Sequence, residues 1–312
     1  MKKNAICADR TLVFLHIHKA SGSSLLSILR QIYRRDHYEI YVRDGSRGVE
    51  QIEKRRKALN ELIQVSQVKV PKVVSGHMGF GIHEYLQNEF KYFVFLRNPV
   101  QRVVSHFYEI LKQDRYFKQE LSSAPFETLS EMQVEHFEYL ASTCKPYGWS
   151  NNLMTRMIAG KEFSSWLTGS SDDVACDEST LKIAKENLRH CSIGITERFD
   201  ESLIVMSRLF GWRNIYYRRE NIGYNRLPLS KIPEATLRLI KSKNHLDLQL
   251  YAYAEQLFKE QITSFHELDL KKDLQLFRIL NPLLGQANAF RESTMHKLLR
   301  VQTKFSSLSI PL

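Results

Sequence analysis

Seven consecutive residues, His18, Lys19, Ala20, Ser21, Gly22, Ser23 and Ser24, bring a cation, hydroxyls and a glycine into one short stretch. Such a set can hold an anion, and above all a phosphate. The ammonium supplies charge, the hydroxyls donate hydrogen bonds, and Gly22 lets backbone come close to a ligand. The stretch lies between an apolar run at 11–17 and apolar residues at helical spacing, Leu25, Leu26, Ile28, Leu29 and Ile32. A strand that turns into a helix here aims unpaired backbone N–H groups and a positive dipole end at whatever sits before it. The order differs from the nucleotide-binding pattern G-x-x-x-x-G-K-[ST], because Lys19 precedes Gly22. Taken alone, the loop fits a phosphate cradle and an ordinary serine-capped turn equally well.

A second segment tips that balance. In "FVFLRNPVQRVVSHF", residues 93–107, Arg97 ends an apolar strand, Pro99 suits the first position of a helix, and Ser105 lies two turns further on. A guanidinium can fork two phosphate oxygens while a serine hydroxyl bonds a third. The competing readings are a surface salt bridge for Arg97 and a solvent-facing helical residue for Ser105. A third strand end carries His77 in "VVSGHMGFG", residues 73–81. An imidazole of near-neutral pKa suits proton transfer, although a lone histidine is more often a satisfied core residue. His16, His18, His83 and His106 are rivals for that role. His16 is expected to point into the sheet packing, and His106 to line its helix.

These residues need a scaffold that brings strand ends together. Strands are expected at 11–17, within 34–48, and at 72–77, 92–96, 192–196 and 213–217. Helices are expected at 25–33, 49–66, 100–112, 181–188, 201–210 and 243–261, with one or two helical turns at 82–88. Strands alternating with helices imply an α/β fold with a parallel sheet, in which ligands sit beyond the carboxyl ends of the strands. Lys19, His77 and Arg97 then face one crevice. Residues 113–150, polar and aromatic, read as a helical insertion or lid, and 164–179 as a loop. The main domain is expected at 1–262 and a helical C-terminal extension at 263–312.

Composition bounds the partners. The 312 residues carry a net charge of +11, with 43% hydrophobic and 25% charged residues. A basic surplus favours polyanions without choosing among them. The densest run, Lys54, Arg55, Arg56 and Lys57, sits in a polar helical stretch and reads as a solvated face rather than a nucleic-acid patch. The four cysteines, Cys7, Cys144, Cys176 and Cys191, lack C-x-x-C spacing, which argues against a zinc or redox motif and for a reducing compartment. No histidine motif of metal-ligating spacing occurs, and no apolar stretch is long enough to span a bilayer. The expectation is a cytoplasmic chain with no metal, no nucleic-acid partner and no transmembrane segment.

"HIHKASGSSL", residues 16–25, and "FVFLRNPVQRVVSHF" together resemble the two donor signatures of carbohydrate sulfotransferases that use 3′-phosphoadenosine 5′-phosphosulfate (PAPS). The branch most resembled contains heparan sulfate 2-O-sulfotransferase and its bacterial relatives. "NNLMTRMIAG", 151–160, and "IGITERFDESL", 193–203, extend the likeness, which covers residues 11–212 unevenly. The resemblance implies a P-loop-like three-layer α/β/α fold and a carbohydrate hydroxyl as acceptor. It implies Lys19, Ser21, Gly22, Ser23 and Ser24 on the 5′-phosphosulfate, and Arg97 and Ser105 on the 3′-phosphate. Thr196 and Arg198 would lie near the nucleotide, with 3′-phosphoadenosine 5′-phosphate (PAP) as product. His77 is then the general base, and Lys19 stabilises charge on the departing phosphate. Asn152, Arg156 and the aromatic residues of 113–150 are candidates for the acceptor side. The sequence departs from that branch at Asn98, where aspartate is common, and at His18, where proline is common. Two other classes compete. A nucleotide kinase or NTPase should end a strand in a magnesium-binding aspartate, where this chain has Arg97. A basic polyanion-binding module explains the charge but not the paired loops.

Overall fold

A computed structural model describes residues 10–40, 48–86, 88–113, 150–160, 175–218, 228–265 and 267–306. The proposed lid at 113–150 lies almost wholly outside them, and of the loop expected at 164–179 they include 175–179, the last two residues of which already belong to a helix.

Five short apolar strands form the centre: β1 (Thr11–Leu15), β2 (His37–Ile40), β3 (Val73–Gly76), β4 (Phe90–Leu96) and β5 (Cys191–Ile195). Every pairing is parallel, and the order across the sheet is β2-β3-β1-β4-β5. Strands buried on both faces read as continuous apolar runs, which is how β1 and the inner part of β4 read. The chain moves to one side of β1 for β2 and β3 and to the other for β4 and β5. The reversal of strand order therefore falls at β1, where such sheets open a ligand crevice.

Nine α-helices occur among the described residues. They are α1 (Gly22–Tyr33), α2 (Gly48–Val68), α3 (Pro99–Gln113), α4 (Leu153–Ala159), α5 (Glu178–Arg189), α6 (Phe199–Phe210), α7 (Glu234–Lys243), α8 (His245–Thr263) and α9 (Glu267–Ser306). Helix α1 buries Gly22, Ser24, Leu25, Leu26, Ile28 and Leu29, the stripe its spacing dictates. Asp177 opens α5 with a capping box, its carboxylate accepting from Thr180 N. Helices α5, α6 and α8 pack on β5. The architecture is the expected three-layer α/β/α arrangement around a parallel sheet. Among the described residues no helix is long and apolar enough to cross a membrane.

One expected strand is absent. Residues 212–218 carry no strand pairing. Their backbone is taken up by α9 instead. Tyr217 N donates to Asn281 Oδ1 at 2.9 Å, and Asn288 Nδ2 donates to Tyr216 O at 2.9 Å. Gly285 sits where a Cβ would lie 2.2 Å from Tyr217 O, so only glycine admits this approach. The apolar alternation at 213–217 answers to burial against a helix, with Ile215 and Tyr217 buried. Helix α8, expected from the apolar spacing at 243–261, packs on the core against β5.

Candidate active site

Strand ends assemble the site. The pairing of Leu15 with Gly76 brings the next residue of each strand, His16 and His77, side by side. Their rings lie 4.0 Å apart, and His77 Nδ1 donates to His16 O at 2.6 Å. A carbonyl can only accept, so Nδ1 carries the proton of this hydrogen bond. On the other face His18 stacks on His77 at 3.6 Å and 9°. His106, on α3, lies 5.4 Å beyond His18. Two of the rivals for the base, His16 and His18, are thus partners of His77. His16 does point into the packing, stacking on Phe14. Burial first, then the nearby cations Arg102 and Lys19, hold His106 well below the usual imidazole pKa, so it stays neutral. His83 stands apart and shares a hydrogen bond of 2.9 Å with the Tyr92 hydroxyl. That hydroxyl also accepts from Gly81 N and His83 N, and so pins the loop that follows His77 to β4.

The first loop is bent sharply. Lys19 and Ser21 both have left-handed backbone, φ 65° and 60°, which non-glycine residues adopt at some cost and mostly where function holds them. Ser21 stands at the N-cap of α1 but makes no side-chain capping bond, which removes the simple reading of a serine-capped turn. Gly22 has a sharper role than expected. A Cβ there would meet the His16 ring at 1.7 Å, so the missing side chain is the space in which His16 lies. Ser24 is buried in the first turn, with Ser23 beside it and more exposed.

Arg97 draws the second segment onto the first. Its Nη1 donates to Lys19 O at 3.1 Å, a bond the left-handed turn at Lys19 makes possible. Asn98 caps α3, with Oδ1 accepting from Gln101 N, so the expected aspartate is replaced by a residue that caps as well. Ser105 is buried on α3, and Arg102, fully buried one turn earlier, was not singled out from sequence. Burial lowers the Arg102 pKa to about 10, opposed by the nearby Asp247 carboxylate. Lys19 Nζ reaches Glu109 Oε2 at 3.3 Å, again on α3. Arg102, Ser105, His106 and Glu109 follow at helical spacing, a periodic signal already present in the sequence.

At the end of β5, Thr196 Oγ1 is buried and has no hydrogen-bond partner among the described residues. Arg198 is engaged elsewhere: it forks Glu201 at 2.7 and 2.8 Å and lies over the Phe258 ring. Asn152 is held between the starts of two helices. It is buried, and its Oδ1 accepts from Leu246 N and Asp247 N at the start of α8. Asp247 in return accepts from Met154 N and Thr155 N at the start of α4. The two helices cap each other, and the Asn152 amide is spent on that. Arg156 is also buried and donates to Asn151 O at 3.3 Å. Burial pushes the Cys176 thiol up to about 11 and the Cys191 thiol to about 12, so neither is a nucleophile near neutral pH. Among the described residues no group of His, Cys, Asp or Glu is arranged to hold a metal ion.

The family model described as galactose-3-O-sulfotransferase matches residues 3–301. The chain belongs to that family. Heparan-sulfate 6-O-sulfotransferase 1 of Cricetulus griseus is 27% identical over 201 residues, covering 59% of this chain and 48% of that protein. The same enzyme of Mus musculus is 27% identical over 201 residues, covering 59% and 47%. The 1-B form of Danio rerio is 26% identical over 217 residues, covering 65% and 51%. The chain spans about half the length of these curated relatives. The family matches the resemblance read from the two loops, while the 2-O branch is a finer matter that belongs with the acceptor.

Proposed function

We propose that the protein transfers a sulfuryl group from PAPS to a hydroxyl of a carbohydrate. The observation that carries this reading is the His77 arrangement: an imidazole with Nδ1–H fixed on His16 O, beside the first loop, whose His18 stacks on its ring. The residues present suit an anionic nucleotide. Lys19, Arg97 and Arg102 gather positive charge near the end of β1 and β4. The first turn of α1 offers its amides and the hydroxyls of Ser21, Ser23 and Ser24. The buried Thr196 hydroxyl offers one further polar contact.

In the proposed reaction His77 Nε2 accepts the proton of the acceptor hydroxyl as its oxygen bonds to sulfur. The bond between sulfur and the 5′-phosphate oxygen breaks in line. Lys19 stabilises the charge left on that phosphate. Arg97 and Ser105 are assigned to the 3′-phosphate, Ser21, Gly22, Ser23 and Ser24 to the 5′ group. Arg198 positions the end of β5 through Glu201 and Phe258. Galactose and heparan sulfate are the acceptors named by the family and by the relatives, and they define the first panel to try.

Ligand-induced thermal stabilisation separates this reading from a kinase. PAP without metal is expected to raise the melting temperature by several degrees at saturating concentration. Stabilisation by ATP with magnesium, and none by PAP, would overturn it.

A further inference from the structure

Helix α3 presents a face that the two-loop reading does not use up. Glu109 lies one turn beyond His106 on this face, and its carboxylate holds Lys19 Nζ at 3.3 Å across 90 residues of sequence. The two side chains are 18% and 30% exposed, neither sealed in the core nor free in solvent. The lysine backbone is fixed, since its turn is left-handed and its carbonyl is bound by Arg97. Only the side chain is left to move. Ion pairs as exposed as this one contribute about 0–1 kcal/mol, so a phosphate can displace the carboxylate.

We infer that Glu109 is a positioning residue. It keeps the Lys19 ammonium in an ion pair until a phosphate arrives at the first loop, and takes it back as the product leaves. The inference rests on the proposed sulfotransferase reading for its catalytic meaning. The carboxylate competes with the nucleotide for one lysine. It therefore weakens nucleotide binding and speeds the return of Lys19 to its resting partner. Removing the negative charge should tighten product binding and slow turnover together, a combination that loss of folding does not produce.

The test is calorimetric titration of PAP into the full chain and its variants, with steady-state rates beside it. Glu109→Gln is expected to bind PAP roughly two- to fivefold tighter, the range a partly exposed ion pair supplies. Its kcat and its KM for PAPS should both fall. Glu109→Asp, which keeps the charge, should return both toward the wild type. In a Lys19→Ala background, Glu109→Gln should leave PAP affinity unchanged. Unchanged or weaker PAP binding by Glu109→Gln overturns the inference. So does an equal gain in the Lys19→Ala background, since the carboxylate would then act without the lysine. Failure of the wild type to bind PAP is a different result and overturns the sulfotransferase reading. Inorganic pyrophosphate then serves as the probe of the ion pair. The same order of affinities is expected, and equal affinity of wild type and Glu109→Gln overturns the pairing role.

Discussion

At the scale of the residue, a base is made by its neighbours. His77 owes its proposed competence to a carbonyl on one nitrogen and rings on both faces, supplied by His16 and His18. Replacing it with alanine should lower kcat by about 10²–10⁴, the usual contribution of a general base, while PAP affinity stays near the wild-type value. Steady-state rates paired with PAP titration check this, and full activity in His77→Ala would reject the assignment. His77 was legible in the sequence as a histidine at a strand end. Its partners were not, because only the register between β1 and β3 says that residues 16 and 77 are adjacent. Glu109 stands at helical spacing from Ser105 in the sequence, but its pairing with Lys19 depends on how α3 lies against the first loop, 90 residues away.

Another histidine sets a pH limit on stability. His37 on β2 shares a 2.7 Å hydrogen bond with Ser75 Oγ, and burial lowers its pKa from 6.5 to about 4. The folded state therefore favours the neutral ring. Above pH 6.5 both states carry it neutral and it costs nothing. As pH falls from 6.5 toward 4 the unfolded chain takes up the proton first, and stability drops by about 3 kcal/mol from this residue. Urea unfolding between pH 7 and pH 4 should show this loss, reduced in a His37→Gln variant. An equal slope in both would contradict it.

At the scale of the element, helix ends carry the architecture. Asn152 caps α8 while Asp247 caps α4, and Asp247 also faces the buried Arg102. Asp247→Ala leaves helix amides uncapped and a buried guanidinium without its opposing charge, and should cost about 3–5 kcal/mol. Asn152→Ala should cost about 1–2 kcal/mol. Denaturant midpoints measure both, and a loss below about 1 kcal/mol for Asp247→Ala would show that the cross-cap is not structural. Neither residue could be read this way from sequence. The two caps are more than 90 residues apart, and an asparagine before an apolar helix looks the same whichever helix it caps. The missing strand at 213–217 has a similar cause. Alternating burial is legible, but whether the partner is a strand or a helix is not. Gly285→Ala tests that arrangement, since its Cβ would press on Tyr217 O. The variant should lose about 1–3 kcal/mol, the range for overpacking.

At the scale of the whole molecule, the parallel sheet was the most legible feature. Its strands are short apolar runs separated by helical periodicity, and that pattern admits few other folds. The convergence of Lys19, His77, Arg97 and Thr196 follows from it, because each succeeds the carboxyl end of a strand in one sheet. Net charge was informative only beside this geometry. A surplus of +11 attracts any polyanion, whereas two loops at adjacent strand ends fit the proposed ligand, with a phosphate for each. Family membership agrees with that selection.

The most direct measurement is transfer of labelled sulfate from PAPS to a panel of galactose-bearing and heparan-type glycans. The wild-type chain should label at least one acceptor on oxygen without added metal, and Lys19→Ala and His77→Ala should each label it at least about a hundredfold more slowly. PAP-stabilised protein that transfers to no glycan in the panel, or equal transfer by His77→Ala, would contradict the account.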